Sequence, residues 1–172
     1  MNGKKVTLIG GAGFIGHNLA LHLQNLGAEV SIIDSLQVNN LASFAASSTE
    51  SVNRSLYLDL LNERQSLLSK AGITLCVQDA RNYHALCKLV SDIEPDVVIQ
   101  LAAVSHANKS NKDPYSTFDH SFRTLENALD ASRGKIEHFI YFSSSMVYGH
   151  FTEDAVNEDS PCNPLGIYGA LK

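Results

Sequence analysis

Cysteine, basic residues and long apolar runs are all scarce in this sequence, and each scarcity excludes a class of protein. The three cysteines, Cys76, Cys87 and Cys162, are scattered and odd in number. They therefore provide neither a disulfide framework nor the ligand spacing of a metal site. Thirteen basic against eighteen acidic side chains give a net charge of −5, without the basic cluster that nucleic-acid binding requires. We therefore expect no metal and no nucleic-acid partner.

No apolar run approaches the ~18 residues of a membrane span, so no membrane association is expected. The amino-terminal apolar run follows two lysines, as in a secretory signal, but four glycines interrupt it. Together with the scattered cysteines, this predicts a cytoplasmic protein. A chain of 172 residues, of which 44% are hydrophobic, is long enough to fold as one domain with its own core.

Short apolar runs alternate with amphipathic stretches, a pattern that predicts strands separated by helices. The five apolar runs are KVTLIG, AEVSIID, ITLCVQDA, DVVIQLAA and EHFIYFSSS. Helix signals lie between them, including a stop at Gly27 and a start at Asp113 or Pro114. Such alternation implies a parallel sheet that is covered on both faces. We therefore predict an α/β fold of the doubly wound, Rossmann type, with the strand order 3-2-1-4-5.

The segment GGAGFIG connects the first predicted strand to the first predicted helix. Gly10, Gly13 and Gly16 allow the backbone to turn tightly and to approach a pyrophosphate, whose charge the amides of the helix amino terminus would receive. Asp34 ends the second strand 18 residues after Gly16, where a carboxylate accepts hydrogen bonds from ribose hydroxyls and repels a 2′-phosphate. No Arg or Lys follows until Arg54, so the pattern favours NAD over NADP.

The segment FSSSMVYG places hydroxyl groups at the end of the fifth predicted strand, where ligands of open parallel sheets bind. Tyr168 and Lys172 follow at a spacing that puts both on one face of a helix. A nearby ammonium stabilises a phenolate. Such a phenolate removes a proton from a substrate hydroxyl, while a serine hydroxyl holds the substrate oxygen.

These segments resemble, in this order, those of the extended short-chain dehydrogenases/reductases, and in particular the NAD-dependent epimerase/dehydratase family of nucleotide-sugar enzymes. The resemblance covers all 172 residues and includes QDARN, LAA and YGALK. It implies NAD as cofactor, a nucleotide-sugar as substrate and a homodimer for the full-length protein. The cofactor-binding residues that it implies are Gly10, Gly13, Phe14, Ile15, Gly16, Asp34, Asp79, Ala80, Leu101, Ala102, Ala103, Tyr168 and Lys172. The implied catalytic residues are Ser144, found by counting back from VYG, Tyr168 as the base, and Lys172.

Two places depart from the family pattern. Ser121 stands where many members carry an Asn in the helix after DP, and its shorter side chain is expected to hold the neighbouring backbone less well. Ser145 and Met146 stand where the sugar 4,6-dehydratases carry an Asp–Glu pair, and methionine cannot protonate a leaving hydroxyl. The resemblance therefore implies an epimerase. A reductase or dehydrogenase for another substrate, and a non-catalytic dinucleotide-binding module, stay open as alternatives.

Members of this family are usually much longer than this chain, and their second half completes the sheet and holds the nucleotide-sugar. We therefore expect residues 1–172 to form an NAD-binding Rossmann domain that is incomplete at its carboxyl terminus. The later strands and the substrate-binding domain would be absent, and the chain by itself would be inactive.

Overall fold

Five parallel strands form one sheet in the order β3-β2-β1-β4-β5, which confirms the predicted strand order. The computed structural model describes residues 2–37, 40–42, 53–151 and 154–172. The strands are β1 (Lys5–Ile9), β2 (Glu29–Asp34), β3 (Thr74–Val77), β4 (Val97–Gln100) and β5 (His138–Tyr141). All four neighbouring pairs are parallel. The carboxyl ends of the strands therefore meet at one edge of the sheet, where the predicted site segments begin.

Buried apolar side chains cover both faces of the sheet. Leu8 of β1 and Ile32 of β2 belong to one cluster, whereas their neighbours Ile9 and Ile33 belong to another. Successive side chains of a strand point to opposite faces, so the two clusters lie on opposite sides of the sheet. Burial of each such side chain contributes about 1.5–3 kcal/mol, which explains why the central strands are nearly continuous apolar runs.

Helices connect the strands and cover both faces. In the described parts of the chain they are α1 (Phe14–Asn25), α2 (Arg54–Lys70), α3 (Tyr83–Ile93), α4 (Ala107–Lys112), α5 (Pro114–Phe118), α6 (Thr124–Ser132) and α7 (Ile167–Ala170). A 3-10 turn, Ser145–Val147, follows β5. Among the described residues, no helix combines the length and the apolar character that crossing a membrane requires.

Side-chain caps fix where two of these helices begin. The Asp113 carboxylate accepts a hydrogen bond from the Ser116 amide at 3.0 Å, and Pro114 follows as the first helical residue. Asn82 caps α3 in the same way through the Ala85 amide at 3.2 Å. Such caps satisfy backbone donors that have no partner within the helix, so the sequence determines these boundaries locally.

The segment DPYSTFDHSFRTLENALDAS predicts one long helix that starts at Asp113 or Pro114. The structure instead places a π-helical turn, Asp119–Arg123, between α5 and α6. The Thr124 hydroxyl lies 2.9 Å from the His120 carbonyl and 3.2 Å from the Ala102 carbonyl, which belongs to the segment after β4. A threonine that bonds to the carbonyl four residues earlier bends a helix. The π-helical turn is therefore followed by a residue, Thr124, whose hydroxyl also contacts the segment after β4.

Candidate functional site

A cavity of about 900 Å³ lies at the carboxyl ends of the strands. Its walls come from the turn after β1, from the segments that follow β2, β3, β4 and β5, from α2 and from α7. The predicted cofactor-binding residues all line it, namely Gly10, Gly13, Phe14, Ile15, Gly16, Asp34, Asp79, Ala80, Leu101, Ala102, Ala103, Tyr168 and Lys172. The fold thus brings segments that are far apart in the sequence into one cavity, whose size is at the upper end of the roughly 300–1,000 Å³ typical of ligand sites.

Two of the glycines in the turn are required by the packing of the backbone. Gly10 has φ +79°, and a Cβ atom there would lie 2.5 Å from the Ala102 amide nitrogen. A Cβ atom on Gly16 would lie 2.5 Å from the Cα of Gly11. Both distances are too short for any side chain. The turn therefore packs directly against the segment after β4 and against the start of α1.

Gly13 serves a different purpose, because a Cβ atom there would meet only the Gly10 carbonyl oxygen, at 3.7 Å. Gly13 lines the cavity immediately before α1, whose first amides have no partner within the helix. The open space beside these amides fits a diphosphate, since the backbone can approach it closely and the helix dipole favours its charge. The turn therefore fits the pyrophosphate of a dinucleotide.

The Asp34 carboxylate is held rigidly beside this turn. One oxygen accepts a hydrogen bond from the Ala12 amide at 2.9 Å, and the other accepts from the Leu36 amide at 2.8 Å. Burial raises the pKa of Asp34, while the two amides and the charge of Arg64 oppose that rise. Each carboxylate oxygen has a second lone pair. The geometry therefore leaves acceptors that fit ribose hydroxyls at the edge of the cavity.

Arg64 lines the cavity from α2 and was not predicted from the sequence. Together with Tyr57, Leu60 and Leu61 it follows the i, i+3, i+4, i+7 spacing of one helix face, and all four residues line the cavity. Arg54 is the first basic residue after Asp34 in the sequence, and Arg64 lies ten positions beyond it. The helical spacing was visible in the sequence, but the docking of α2 against the glycine turn was not.

Arg81 ties together the wall of the cavity at the end of β3. Its guanidinium lies 2.6 Å from Asp79, 2.8 Å from Asp119 and 3.3 Å from the Gln37 side chain. The pKa of Asp79 is lowered chiefly by the hydrogen bonds from Arg81, and so is that of Asp119. The cluster therefore holds Asp79 in its ionised form and joins the segments that follow β2 and β3.

His120 contacts this cluster from the π-helical turn. Its Nε2 lies 3.2 Å from the Arg81 guanidinium, and the residue also lines the cavity. Burial lowers the pKa of His120, and the charge of Arg81 lowers it further. Because a guanidinium only donates, Nε2 acts as the acceptor.

Ser121 holds the backbone that follows β4. Its buried hydroxyl accepts a hydrogen bond from the Val104 amide at 3.1 Å. The hydroxyl thus reaches the neighbouring backbone even though it stands where a longer amide side chain is expected. Asn127 holds the backbone that follows β3 in the same manner, because its side-chain amide nitrogen donates to the Ala80 carbonyl at 2.9 Å.

Tyr168 lies in α7 and Lys172 follows one turn later, and both line the cavity close to the end of β5. The Lys172 Nζ is 6.0 Å from the centroid of the Tyr168 ring and donates to the Phe142 carbonyl at 3.1 Å. The Tyr141 hydroxyl donates to the Leu171 carbonyl at 3.0 Å and joins this turn to β5. Burial lowers the pKa of Lys172. The structure thus brings the predicted tyrosine and lysine together at the cavity wall.

The two neighbouring serines have different surroundings. Ser143 lines the cavity, and its hydroxyl donates to the Lys172 carbonyl at 2.8 Å. Ser144, the predicted catalytic serine, is not among the lining residues, and its Oγ accepts a hydrogen bond from the Met146 amide at 3.3 Å. The Ser143 hydroxyl therefore acts as a hydrogen-bond donor within the protein, whereas the Ser144 hydroxyl acts as an acceptor.

Comparison with known proteins identifies a family model and several relatives to which the chain is similar. The sequence model described as the NAD dependent epimerase/dehydratase family matches residues 6–172. The chain is 31% identical over 170 residues to protein CapI of Staphylococcus aureus, and the alignment covers 98% of this chain and 46% of CapI. It is 30% identical over 170 residues to a bifunctional UDP-glucose 4-epimerase and UDP-xylose 4-epimerase of Pisum sativum, with 98% and 45% covered.

A solved structure gives the same indication. The UDP-glucuronic acid 4-epimerase from Bacillus cereus, in complex with UDP-glucuronic acid and NAD, superposes with a TM-score of 0.72 at 29% identity. The superposition covers 98% of this chain and 48% of that enzyme. The chain spans about half the length of the curated relatives that it matches.

Proposed function

The chain belongs to the NAD dependent epimerase/dehydratase family, as its motifs predict, and we propose that its protein is an NAD-dependent epimerase of nucleotide-sugars. The observation that carries the proposal is the position of Tyr168 and Lys172, which share one cavity with the glycine turn and Asp34. The names of the relatives favour UDP-sugars as substrates and carbon 4 as the reacting centre. NAD, when bound, supplies the reversible acceptor for a hydride from that carbon.

In this proposal Tyr168 is the catalytic base and acid. Its phenolate takes the proton from the sugar hydroxyl and returns it when the opposite configuration forms. The Lys172 ammonium, 6.0 Å from the centre of the Tyr168 ring, stabilises the negative charge of the phenolate. The hydrogen bond from Lys172 to the Phe142 carbonyl keeps the ammonium at the end of β5.

Ser144 is proposed to donate to the oxygen of the reacting sugar carbon. Its Oγ accepts from the Met146 amide, and among the described residues its own hydrogen is not donated to any acceptor. Ser143 lines the cavity, but its hydrogen is used in the bond to the Lys172 carbonyl. The hydrogen-bond pattern therefore favours Ser144 as the donor to the substrate. Met146 stands beside it and cannot act as an acid, which favours epimerisation over loss of water.

The cofactor residues divide by their chemistry. The open amides beside Gly13 would hold the pyrophosphate, and Asp34 would accept from the adenosine ribose. Asp79 and Ala80, which Arg81 and Asn127 fix, would lie beside the adenine. The segment after β4, Leu101 to Ala103, would lie under the nicotinamide half.

The test is turnover of a panel of UDP-sugars by the protein as its gene encodes it, with separation of the two epimers by chromatography. We expect Tyr168→Phe to keep NAD binding and to lose most of the turnover, because the ring stays and the base is removed. Tyr115→Phe is the matched control, since the Tyr115 side chain is exposed on α5. Normal turnover by Tyr168→Phe, or no epimer from any sugar of the panel, contradicts the proposal.

We also propose that the protein forms a homodimer in the cytoplasm. Phe118, Phe122 and Leu129 are exposed along the segment from α5 to α6, and the two phenylalanine rings are 5.0 Å apart. A twofold axis would bury this apolar strip against its copy. Sedimentation of Phe122→Glu tests this, and a variant that stays dimeric refutes it. The three unpaired thiols support the cytoplasmic location.

A further inference from the structure

Asp34 and Arg64 bind the same residue of the glycine turn, although they are thirty positions apart in the sequence. Asp34 accepts from the Ala12 amide at 2.9 Å, and the Arg64 Nη1 donates to the Ala12 carbonyl at 3.1 Å. Both side chains line the cavity. The Asp34 carboxylate, which is proposed to hold the adenosine ribose, and the Arg64 guanidinium therefore bind the two backbone groups of one residue, Ala12.

The contact with Ala12 uses only one of the five N–H donors of the Arg64 guanidinium. The Ala12 carbonyl already accepts from the Asn40 side chain at 3.0 Å, so it does not depend on Arg64. Among the described residues, Arg64 has no ion pair within 4.0 Å, and its buried Nε has no hydrogen-bond partner. A guanidinium carries five N–H donors in a planar fork that matches phosphate oxygens. Nε is itself buried, but Nη2 and the second hydrogen of Nη1 make no hydrogen bond to the described residues and are left for a ligand.

The position on α2 directs this capacity toward the adenosine end. Tyr57, Leu60 and Leu61 lie on the same helix face and line the same cavity. Leu61 is 4% exposed and anchors that face of α2 against the rest of the domain. The side chain of Arg64 follows one turn later, on the same side of the cavity as Asp34. A ribose held by Asp34 would thus present its 2′ position to a wall that contains one anion and one cation.

We propose that Arg64 is a determinant of cofactor specificity, which attracts a phosphate at the adenosine 2′ position and so limits the preference for NAD that Asp34 imposes. The proposal rests on dinucleotide binding in this cavity, but not on the sugar reaction. Asp34 repels a 2′-phosphate, and Arg64 offers it a charge-assisted hydrogen bond. The selectivity of the site is then the balance of two residues, of which only one was evident from the sequence.

The test measures the dissociation constants of NAD and of NADP by calorimetry at one ionic strength, and compares their ratio between variants. Both cofactors use the same glycine turn, so a general loosening of that turn cancels in the ratio. Arg64→Gln should raise the ratio of the NADP constant to the NAD constant about tenfold, the size of one charge-assisted hydrogen bond. Arg64→Lys keeps the charge and should change the ratio by less than about threefold. Lys70→Gln, which removes an exposed charge at the end of the same helix, should leave it unchanged.

A second pair of variants measures the balance directly. Asp34→Asn should lower the ratio of the NADP constant to the NAD constant about tenfold. Adding Arg64→Gln to Asp34→Asn should raise that ratio again by most of the same amount. If NADP binding by the unmutated protein is too weak to measure, the effect of Arg64→Gln is measured in the Asp34→Asn variant instead. Equal effects of Arg64→Gln on both cofactors, in either background, overturn the proposal and reduce Arg64 to a clamp on the turn. Failure of the unmutated protein to bind NAD would instead refute the proposed cofactor site itself.

Discussion

The Asp34 carboxylate accepts the amide hydrogen of Ala12 at 2.9 Å, so the acid at the end of β2 and the glycine turn after β1 form one unit. Replacing Asp34 by Ala should weaken NAD binding about tenfold or more, because charge-assisted bonds to the ribose are lost. NADP binding should fall less, since repulsion of its phosphate disappears. Calorimetry with both cofactors measures this, with Asp92→Ala as a control on the surface of α3. Equal losses for the two cofactors would show that Asp34 does not read the 2′ position.

Alanine substitutions at Gly13 and Gly16 should affect different properties, namely NAD affinity at Gly13 and the free energy of unfolding at Gly16. Gly16→Ala places a Cβ atom 2.5 Å from the Gly11 Cα and should cost about 3 kcal/mol of unfolding free energy. Gly13→Ala meets open space and should cost no more than about 1 kcal/mol. Its methyl group would nevertheless stand where the pyrophosphate fits, so NAD affinity should fall at least about tenfold. Urea unfolding and calorimetry on the same two variants provide the comparison. Unchanged NAD affinity in Gly13→Ala would place the pyrophosphate elsewhere.

Ser143 and Ser144 should contribute unequally to turnover. We expect Ser144→Ala to lower kcat about 10- to 100-fold, since it removes the proposed donor to the substrate oxygen. Ser144→Thr, which keeps a hydroxyl, should retain most of the activity. Ser143→Ala loses only the bond to the Lys172 carbonyl and should have the smaller effect on kcat. Steady-state kinetics at saturating sugar tests this order, and the reverse order would assign the catalytic hydroxyl to Ser143.

The Arg81 cluster should stabilise the fold in a way that depends on pH. Arg81 lowers the pKa of Asp79 and of Asp119, so its stabilisation is present above the unfolded pKa of about 3.9 and is lost as the pH falls through the lowered values. Arg81→Gln should cost about 1–2 kcal/mol at pH 7, a modest figure because the pair is partly exposed.

Urea unfolding at several pH values checks this expectation. The gap in unfolding free energy between the unmutated protein and Arg81→Gln should stay constant from pH 7 to pH 5 and narrow below about pH 4. Arg133→Gln is the control, because the Arg133 side chain is 80% exposed in its pair with Asp130 and its removal should cost almost nothing at any pH. A gap that does not depend on pH would mean that Arg81 stabilises the fold by packing alone.

Much of the candidate site follows from local patterns in the sequence. Gly10 must adopt a positive φ, and Gly16 must pack against Gly11. The spacing of these glycines therefore reflects positions where a side chain would be sterically excluded. Asp34 was predicted because it ends a strand, whereas Asp79 and the LAA segment were implied by the family resemblance. All of them lie at the edge of the sheet where the carboxyl ends of the strands meet. Other features were not predicted. They include α4, the π-helical turn and the position of Ser144 outside the cavity wall.

The sequence by itself determined where strands alternate with helices, the sharp turn after β1 and the helix starts at Asn82 and Asp113, because apolar periodicity, backbone sterics and capping act between residues close in the chain. The strand order was predicted from the right-handed crossovers of parallel sheets, and the structure has that order. Only the tertiary structure decided that Arg64 stands beside Asp34. That contact depends on how α2 docks, and its docking is set by the burial of Leu61 and Leu68 on the same helix. A long-range contact of this kind arises from packing between elements, which no local spacing records.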